Sequence, residues 1–255
     1  MADARQGSRG HMTCDKHAMT SHPKSCPDCA QRRRGFLSRL PHEILDQTLC
    51  VMRRRRFPAG SVLGREGEIA DGVYAIQEGL VKLVGPGPHN HPRIVDLMGP
   101  GDIIGLGGVF GRRLTFDTIA ITELAACYSS TAAFKGLLSS NASVALGLAD
   151  HLSCVVDREA ERLRGLGTNT AIERVASFLV DGRLPRIGTN RIILPLRRRE
   201  LAALLGVAPE TVARSLTRLA AEGMIKVSSR EITILDDEGL ISRADGQKSA
   251  QVTSV

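Results

Sequence analysis

The sequence predicts an α+β chain: an N-terminal β-jelly-roll domain, one long helix, and a C-terminal winged helix-turn-helix. Three observations predict it. Short alternating runs punctuated by glycines fill residues 57–130, one apolar seam runs from Ala145 to Leu166, and two short amphipathic segments meet at Gly206 ahead of a hairpin pattern. The expected divisions are an arm over 1–35, the jelly roll over 36–142, a dimerisation helix over 143–167, the winged helix-turn-helix over 168–235 and a flexible tail over 236–255.

A chain of 255 residues can bury a substantial core and favours two domains over one. Its formal charge of +7 suits a polyanionic partner, while zero Trp and two Tyr argue against base stacking on aromatic platforms. No apolar run is long enough to span a bilayer and no signal peptide opens the chain, so a cytoplasmic protein without a membrane partner is expected. In that compartment the six cysteines are expected to be ligands, sensors or core residues ahead of disulfides.

The arm, Met1 to about Arg34, is polar and lacks any helical or strand period. It carries Cys14 and then Cys26-Pro27-Asp28-Cys29, followed by Arg32, Arg33 and Arg34. A C-x-x-C turn brings two thiolates to one metal or cluster, and neighbouring guanidiniums favour the thiolate form. A zinc turn completed by His11, His17 or His22, or an arm with no ligand, is the competing reading. Phe36 to Met52 reads as a short helical segment with Cys50 on its apolar face, leading into Arg53–Arg56.

From Phe57 the texture becomes that of an antiparallel sandwich: VYAIQEGLVKLV, RIVDLM and TFDTIAITELAACYSS alternate between glycine turns. His89-Asn90-His91, the one argument for a cupin-type metalloenzyme, lies between Pro88 and Pro92 in a turn and reads as solvated. Cys127, in an apolar strand, reads by itself as a small buried hydrophobe.

In the long helix, Ala145, Ala149, Leu152, Val156, Glu159, Leu163 and Leu166 recur in strict steps of four and three, the pattern of a coiled-coil seam. Such a helix dimerises; packing on its own sandwich is the alternative. Glu159 would face its own copy, and two carboxylates ~6 Å apart at an effective dielectric of about 20 repel by on the order of 3 kcal/mol. Cys154 falls off the seam and receives no role.

Leu201, Leu204 and Leu205 form one stripe, Gly206 a turn, and Val212, Leu216 and Leu219 a second stripe after Pro209 at a first helical position. The opposite face of that second helix presents Glu210, Arg214, Thr217 and Arg218, with Thr211 at its edge. Glutamate accepts from cytosine N4 and arginine donates bidentately to guanine, so the expected partner is double-stranded DNA. Arg197, Arg198 and Arg199 add phosphate-seeking charge, and Met224–Leu235 reads as a wing with Arg230 at its tip.

FPAGSVLGREGEIADGVYAIQEGLVKL, then PGDIIGL, then the long helix and ETVAR together resemble the cAMP receptor protein and FNR (Crp/Fnr) superfamily of bacterial transcription regulators, from about Phe36 to Leu235. The resemblance implies a cyclic-nucleotide-binding-like sensor domain, a homodimer on palindromic DNA, contact with RNA polymerase through sandwich loops and the connection near Gly188, and no catalysis. The positions that hold cyclic nucleotide in cAMP-binding relatives correspond here to Leu106 and Leu114-Thr115, which supply no ionic contact, although Arg112 and Arg113 are near. The resemblance is to the oxygen-sensing FNR branch, which implies a [4Fe-4S] cluster on Cys14, Cys26, Cys29 and Cys127, with His17, His22 or Asp28 able to replace Cys14. Members of that branch hold an acidic residue in the region of Glu159; here an intact cluster is expected to order the arm against the dimer helix and offset the repulsion, and oxygen to degrade the cluster and release monomers.

The resemblance also implies a TTGAT-like half-site read by Glu210, Thr211 and Arg214, with Ala213 where the FNR type has Ser, and phosphates held by Arg197, Arg199, Thr217, Arg218 and Arg230. Haem, nitric oxide, thiol redox chemistry or an organic effector are the alternative signals on the same fold.

Overall fold

Alternation between glycine turns produces two facing four-stranded antiparallel sheets. A computed structural model describes residues 35–87, 92–184, 186–188 and 190–245; Cys14, Cys26, Cys29, His11, His17, His22, Asp28 and the His89-Asn90-His91 run lie outside these. One sheet orders β1 (Arg53–Phe57), β8 (Leu124–Ser130), β3 (Gly72–Glu78) and β6 (Ile103–Ile104); the other orders β2 (Val62–Gly64), β7 (Asp117–Ala120), β4 (Val81–Gly85) and β5 (Arg93–Met98). Tyr74, Ile76, Leu124 and Ala126 fill the space between the sheets with Val81 and Ala120.

The outer face of the first sheet is covered by helices. A short helical turn (Phe36–Arg39), α1 (His42–Cys50), α2 (Thr131–Ser140) and the first half of α3 (Ala142–Thr168) bury Phe36, Leu37, Leu45, Phe134 and Val144 against Val73, Ala75 and Cys127. α3 starts where Asn141 Oδ1 accepts from Ser143 N at 3.0 Å and Val144 N at 3.3 Å, satisfying two orphan donors of the first turn. A Cβ on Gly147 would lie 2.7 Å from Leu40 Cδ2, so the glycine lets α3 close tightly on the residues that follow the arm.

The C-terminal domain begins at α4 (Ala171–Val180), opened by the Thr170–Glu173 capping box. A third sheet follows, ordered β11 (Ile225–Ser228), β12 (Glu231–Ile234), β10 (Arg191–Ile193), β9 (Arg186–Ile187), and α5 (Arg198–Leu205) and α6 (Pro209–Ala221) pack beside it. The wing pattern predicts two strands of this sheet; the other two are two and three residues long, too short to carry a period. Leu80, Ile94 and Leu97 of the sandwich share one apolar core with this domain, so the two halves are packed together.

The expectation of a flexible tail over 236–255 is corrected in part. Asp236 Oδ1 accepts from Gly239 N at 2.9 Å and opens α7 (Asp237–Ala244), whose Leu240 is fully buried. Leu240 and Ala244, four apart, form a stripe that packs on α4; the stripe is too short to be seen without the surface that receives it. Residues 246–255 lie outside the described residues.

Candidate nucleic-acid interface and sensory centre

The turn between α5 and α6 is set by Gly206, whose φ of 65° lies in the left-handed region. Pro209 then occupies the first turn of α6, and Val212, Ser215, Leu216 and Leu219 are buried against the domain. Glu210, Ala213, Arg214, Thr217 and Arg218 are left exposed on the outer face, with Thr211 at the half-buried edge. Arg214 donates to Thr211 Oγ1 at 3.3 Å, which holds the guanidinium along the helix surface one turn from Glu210. Arg230 stands at the turn between β11 and β12, and Arg197 and Arg199 are exposed at the start of α5. Arg218 differs from expectation: Glu222 Oε1 accepts from it at 3.0 Å, so its charge is shared before any phosphate arrives. Glu222 is shared in turn with Arg243 of α7, and the two arginines draw its pKa below the ordinary carboxylate value.

Cys127 lies on β8 opposite Ala75 and is buried. Its neighbours settle its direction. Leu124 and Ala126 point between the sheets, whereas Cys127 joins the layer containing Phe36, Leu37, Val144 and Leu148. The thiol therefore faces Phe36, Leu37 and the first half of α3, away from the sandwich interior. Gln77 Nε2 donates to its Sγ at 2.9 Å, the kind of contact that tunes a sulfur ligand. Among the described residues no three His, Cys, Asp or Glu side chains converge as metal ligands. Cys127 carries no disulfide.

On α3, Val144, Gly147, Leu148 and His151 face the chain's own layers, whereas Leu152, Val156 and Leu163 are 38%, 65% and 62% exposed. Leu166, at the end of this stripe, is also exposed. Glu159, at the inner edge of the seam, is held by Arg162 Nε at 2.8 Å and Arg158 Nε at 3.5 Å. Its charge is thus partly compensated within its own helix, which reduces the repulsion expected from sequence.

Arg158 also reaches Asp102 at 3.1 Å, a buried carboxylate in the turn between β5 and β6 that caps Gly99 N at 2.9 Å. Beyond it, Arg183 binds Asp181 at 2.7 Å, donates to Leu97 O at 2.7 Å and lies 3.8 Å from Asp96. Burial pushes Asp96 above its ordinary value against the opposing Arg183 charge. Burial acts the same way on Asp181, but the Arg183 hydrogen bonds and charge outweigh it and leave Asp181 below its ordinary value. This ion-pair chain ties sandwich, α3 and DNA-binding domain together. Sequence reading missed it, and the one local signal was the Asp of the quoted P-G-D turn.

In the sandwich, Leu114 packs toward Gly64, and Arg113 spends a donor on Gly67 O at 2.6 Å. Leu106 and Leu114, at the expected nucleotide positions, offer no charge. Among the described residues no helix is long and apolar enough to cross a membrane.

Comparison with known proteins accords with this architecture. Residues 54–141 match the family model described as a cyclic nucleotide-binding domain, and residues 173–243 match a Crp-like helix-turn-helix domain. The chain is 30% identical over 195 residues to a CRP-like cAMP-activated global transcriptional regulator of Mycobacterium tuberculosis, spanning 74% of this chain and 86% of that protein. It is 27% identical over 232 residues to the transcriptional activator protein FnrL of Cereibacter sphaeroides, spanning 88% of this chain and 93% of that protein. The solved structure of FixK2 from Bradyrhizobium japonicum matches with a TM-score of 0.65 at 26% identity, covering 75% of this chain and 96% of that one. A sensor-type sandwich, a long helix with an exposed apolar stripe and a winged helix-turn-helix stand here in the order these relatives share, and the chain belongs to the Crp/Fnr family of DNA-binding transcription regulators.

Proposed function

We propose that this regulator responds to oxygen, controlling anaerobic or microaerobic genes through a [4Fe-4S] cluster held by Cys14, Cys26, Cys29 and Cys127. The observation that carries the reading is the placement of Cys127: buried, turned toward the residues that follow the arm, and in one packed layer with α3. When bound, the cluster supplies a four-thiolate crosslink that oxygen dismantles. Cys127 anchors that crosslink on the sandwich, Gln77 supports its sulfur, and Phe36 and Leu37 carry the arm's position onto α3. With the arm held, α3 offers Leu152, Val156, Leu163 and Leu166 to a second copy, and Glu159 with Arg162 sets how readily the pair forms. A dimer places two α6 helices about one DNA turn apart on a palindrome, whereas a monomer meets one half-site. RNA polymerase would then meet sandwich loops and the turn near Gly188, all within the cytoplasm.

The deciding experiment is an anaerobic absorption spectrum with iron and acid-labile sulfide assays. About four irons per chain are expected, and Cys127→Ala should lose them while costing the fold only about 1 kcal/mol for one small buried group. A colourless anaerobic protein that still dimerises and binds DNA would end the cluster reading. Thiol redox control on the Cys26-Pro27-Asp28-Cys29 pair is the second reading; there iron would be absent and a reductant alone would change DNA affinity.

Glu210 and Arg214 are the proposed base readers, with Thr211 and Ala213 beside them and Arg197, Arg199, Thr217, Arg218 and Arg230 on phosphates. Arg214→Ala should lose about 1–3 kcal/mol of discrimination at its guanine in a competition binding assay with the dimer. Full discrimination in that variant would mean that α6 is oriented differently on DNA.

A further inference from the structure

A cavity of about 560 Å³ opens where the sandwich, the end of α3 and the DNA-binding domain meet. Its apolar wall includes Leu80 and Leu97 from the sandwich, with Phe178 and Leu205 from α4 and α5. That volume is of the size that encloses a small organic molecule. Four of the five arginines around it each have a carboxylate partner. Arg158 has Asp102 at 3.1 Å, Arg162 has Glu159 at 2.8 Å, Arg183 has Asp181 at 2.7 Å, and Arg164 has Glu161. Arg174 pairs with no carboxylate among the described residues: its Nε donates to Asn169 O at 3.1 Å and its Nη1 to Leu205 O at 3.0 Å and Gly206 O at 3.4 Å. Glu173 beside it is taken up by Thr170 N at 2.8 Å. Carbonyl contacts fix the guanidinium in place without an ion pair of its own, in a lining that also includes Asp245.

We infer that this cavity is a binding site for a small organic anion, a carboxylate, sulfonate or phosphate on an apolar or aromatic body, with the anionic group on Arg174 and the body against Leu80, Leu97, Phe178 and Leu205. A planar guanidinium held by its other donors presents its remaining N–H groups to such an anion in a fixed geometry. Arg174 also holds the turn that leads into α6, because two of its acceptors are Leu205 and Gly206. An occupant therefore bears on the reading helix, and its affinity and that of DNA are coupled reciprocally. This inference stands apart from the cluster reading, since none of these residues belongs to the Cys127 layer.

The test uses the full chain in air and two fluorescent probes, anilinonaphthalene sulfonate and its uncharged counterpart N-phenylnaphthylamine. The sulfonate should bind once per chain and at least about tenfold more tightly than the neutral probe, a ratio equal to about 1.4 kcal/mol. Arg174→Gln should erase that preference. Thr168→Trp, at an exposed position on the cavity rim, should weaken both probes about tenfold with the fold unchanged by circular dichroism, which guards against misfolding of the Arg174 variant. Saturating duplex DNA should shift the sulfonate's affinity. Equal affinity of the two probes, or sulfonate binding unaffected by both substitutions, overturns the site; an affinity indifferent to DNA overturns its role as an effector site.

Discussion

Arg183→Ala should destabilise the protein by about 3–5 kcal/mol, because it strands a buried carboxylate whose partner has been removed. Arg183 is 13% exposed, grips Asp181 at 2.7 Å, donates to Leu97 O across the junction and is the guanidinium nearest Asp96. At about 2–4 °C per kcal/mol for a chain of this size, the melting transition should fall by roughly 6–20 °C, read by calorimetry. The pH dependence follows from the sign of each shift. Asp181 is held below its ordinary value, so its contribution is present above the ordinary carboxylate range and is lost as pH falls through the lowered folded value. Without the Arg183 side chain, burial is the largest influence left on Asp181 and on Asp96, and protonation then relieves both. The gap between the parent and Arg183→Ala should therefore narrow on acidification. A gap that is constant from neutral to acid pH would show that the loss comes from packing at Leu97 and not from charge. The double variant Arg183→Met with Asp181→Leu should recover most of the loss, since removing both members of a buried pair is far less costly than removing one.

Glu159→Leu should yield a dimer that binds DNA in air. Two terms act in the same direction. The substitution removes what remains of a carboxylate–carboxylate repulsion of on the order of 3 kcal/mol after partial compensation by Arg162 and Arg158. It also extends the apolar stripe of Leu152, Val156 and Leu163 by one residue in each copy, worth about 1.5–3 kcal/mol per buried leucine. Together these predict dimerisation tighter by more than about a hundredfold, at 1.4 kcal/mol per factor of ten. Sedimentation under air measures it, with a palindromic duplex and its isolated half-site as the DNA readout. A variant that remains monomeric under air would remove Glu159 from the switch.

The reading helix was legible because its information is local. Val212, Leu216 and Leu219 recur at the spacing of one helical face, Gly206 supplies the left-handed residue a tight turn requires, and Pro209 suits a first turn. The seam on α3 was legible for the same reason, and its exposed leucines follow the period. The direction of Cys127 was not. β3 and β8 are buried on both faces, so their residues are apolar on both and the alternation that reveals a face is erased. The junction ion pairs join residues near 96–102, 158 and 181–183, separations at which no sequence period operates.

Periodicity and turn chemistry, which act between near neighbours, are enough to specify that this chain builds a sandwich, a long dimer-type helix and a winged helix-turn-helix with Glu210 and Arg214 outward. Which side of the sheet carries Cys127, that Glu159 is shared with Arg162, that the C-terminal segment folds back as α7, and that Arg174 lacks a carboxylate are facts of long-range packing. They depend on which distant surfaces meet when apolar area is buried, and a charge acquires its partner only once that burial has brought the surfaces together.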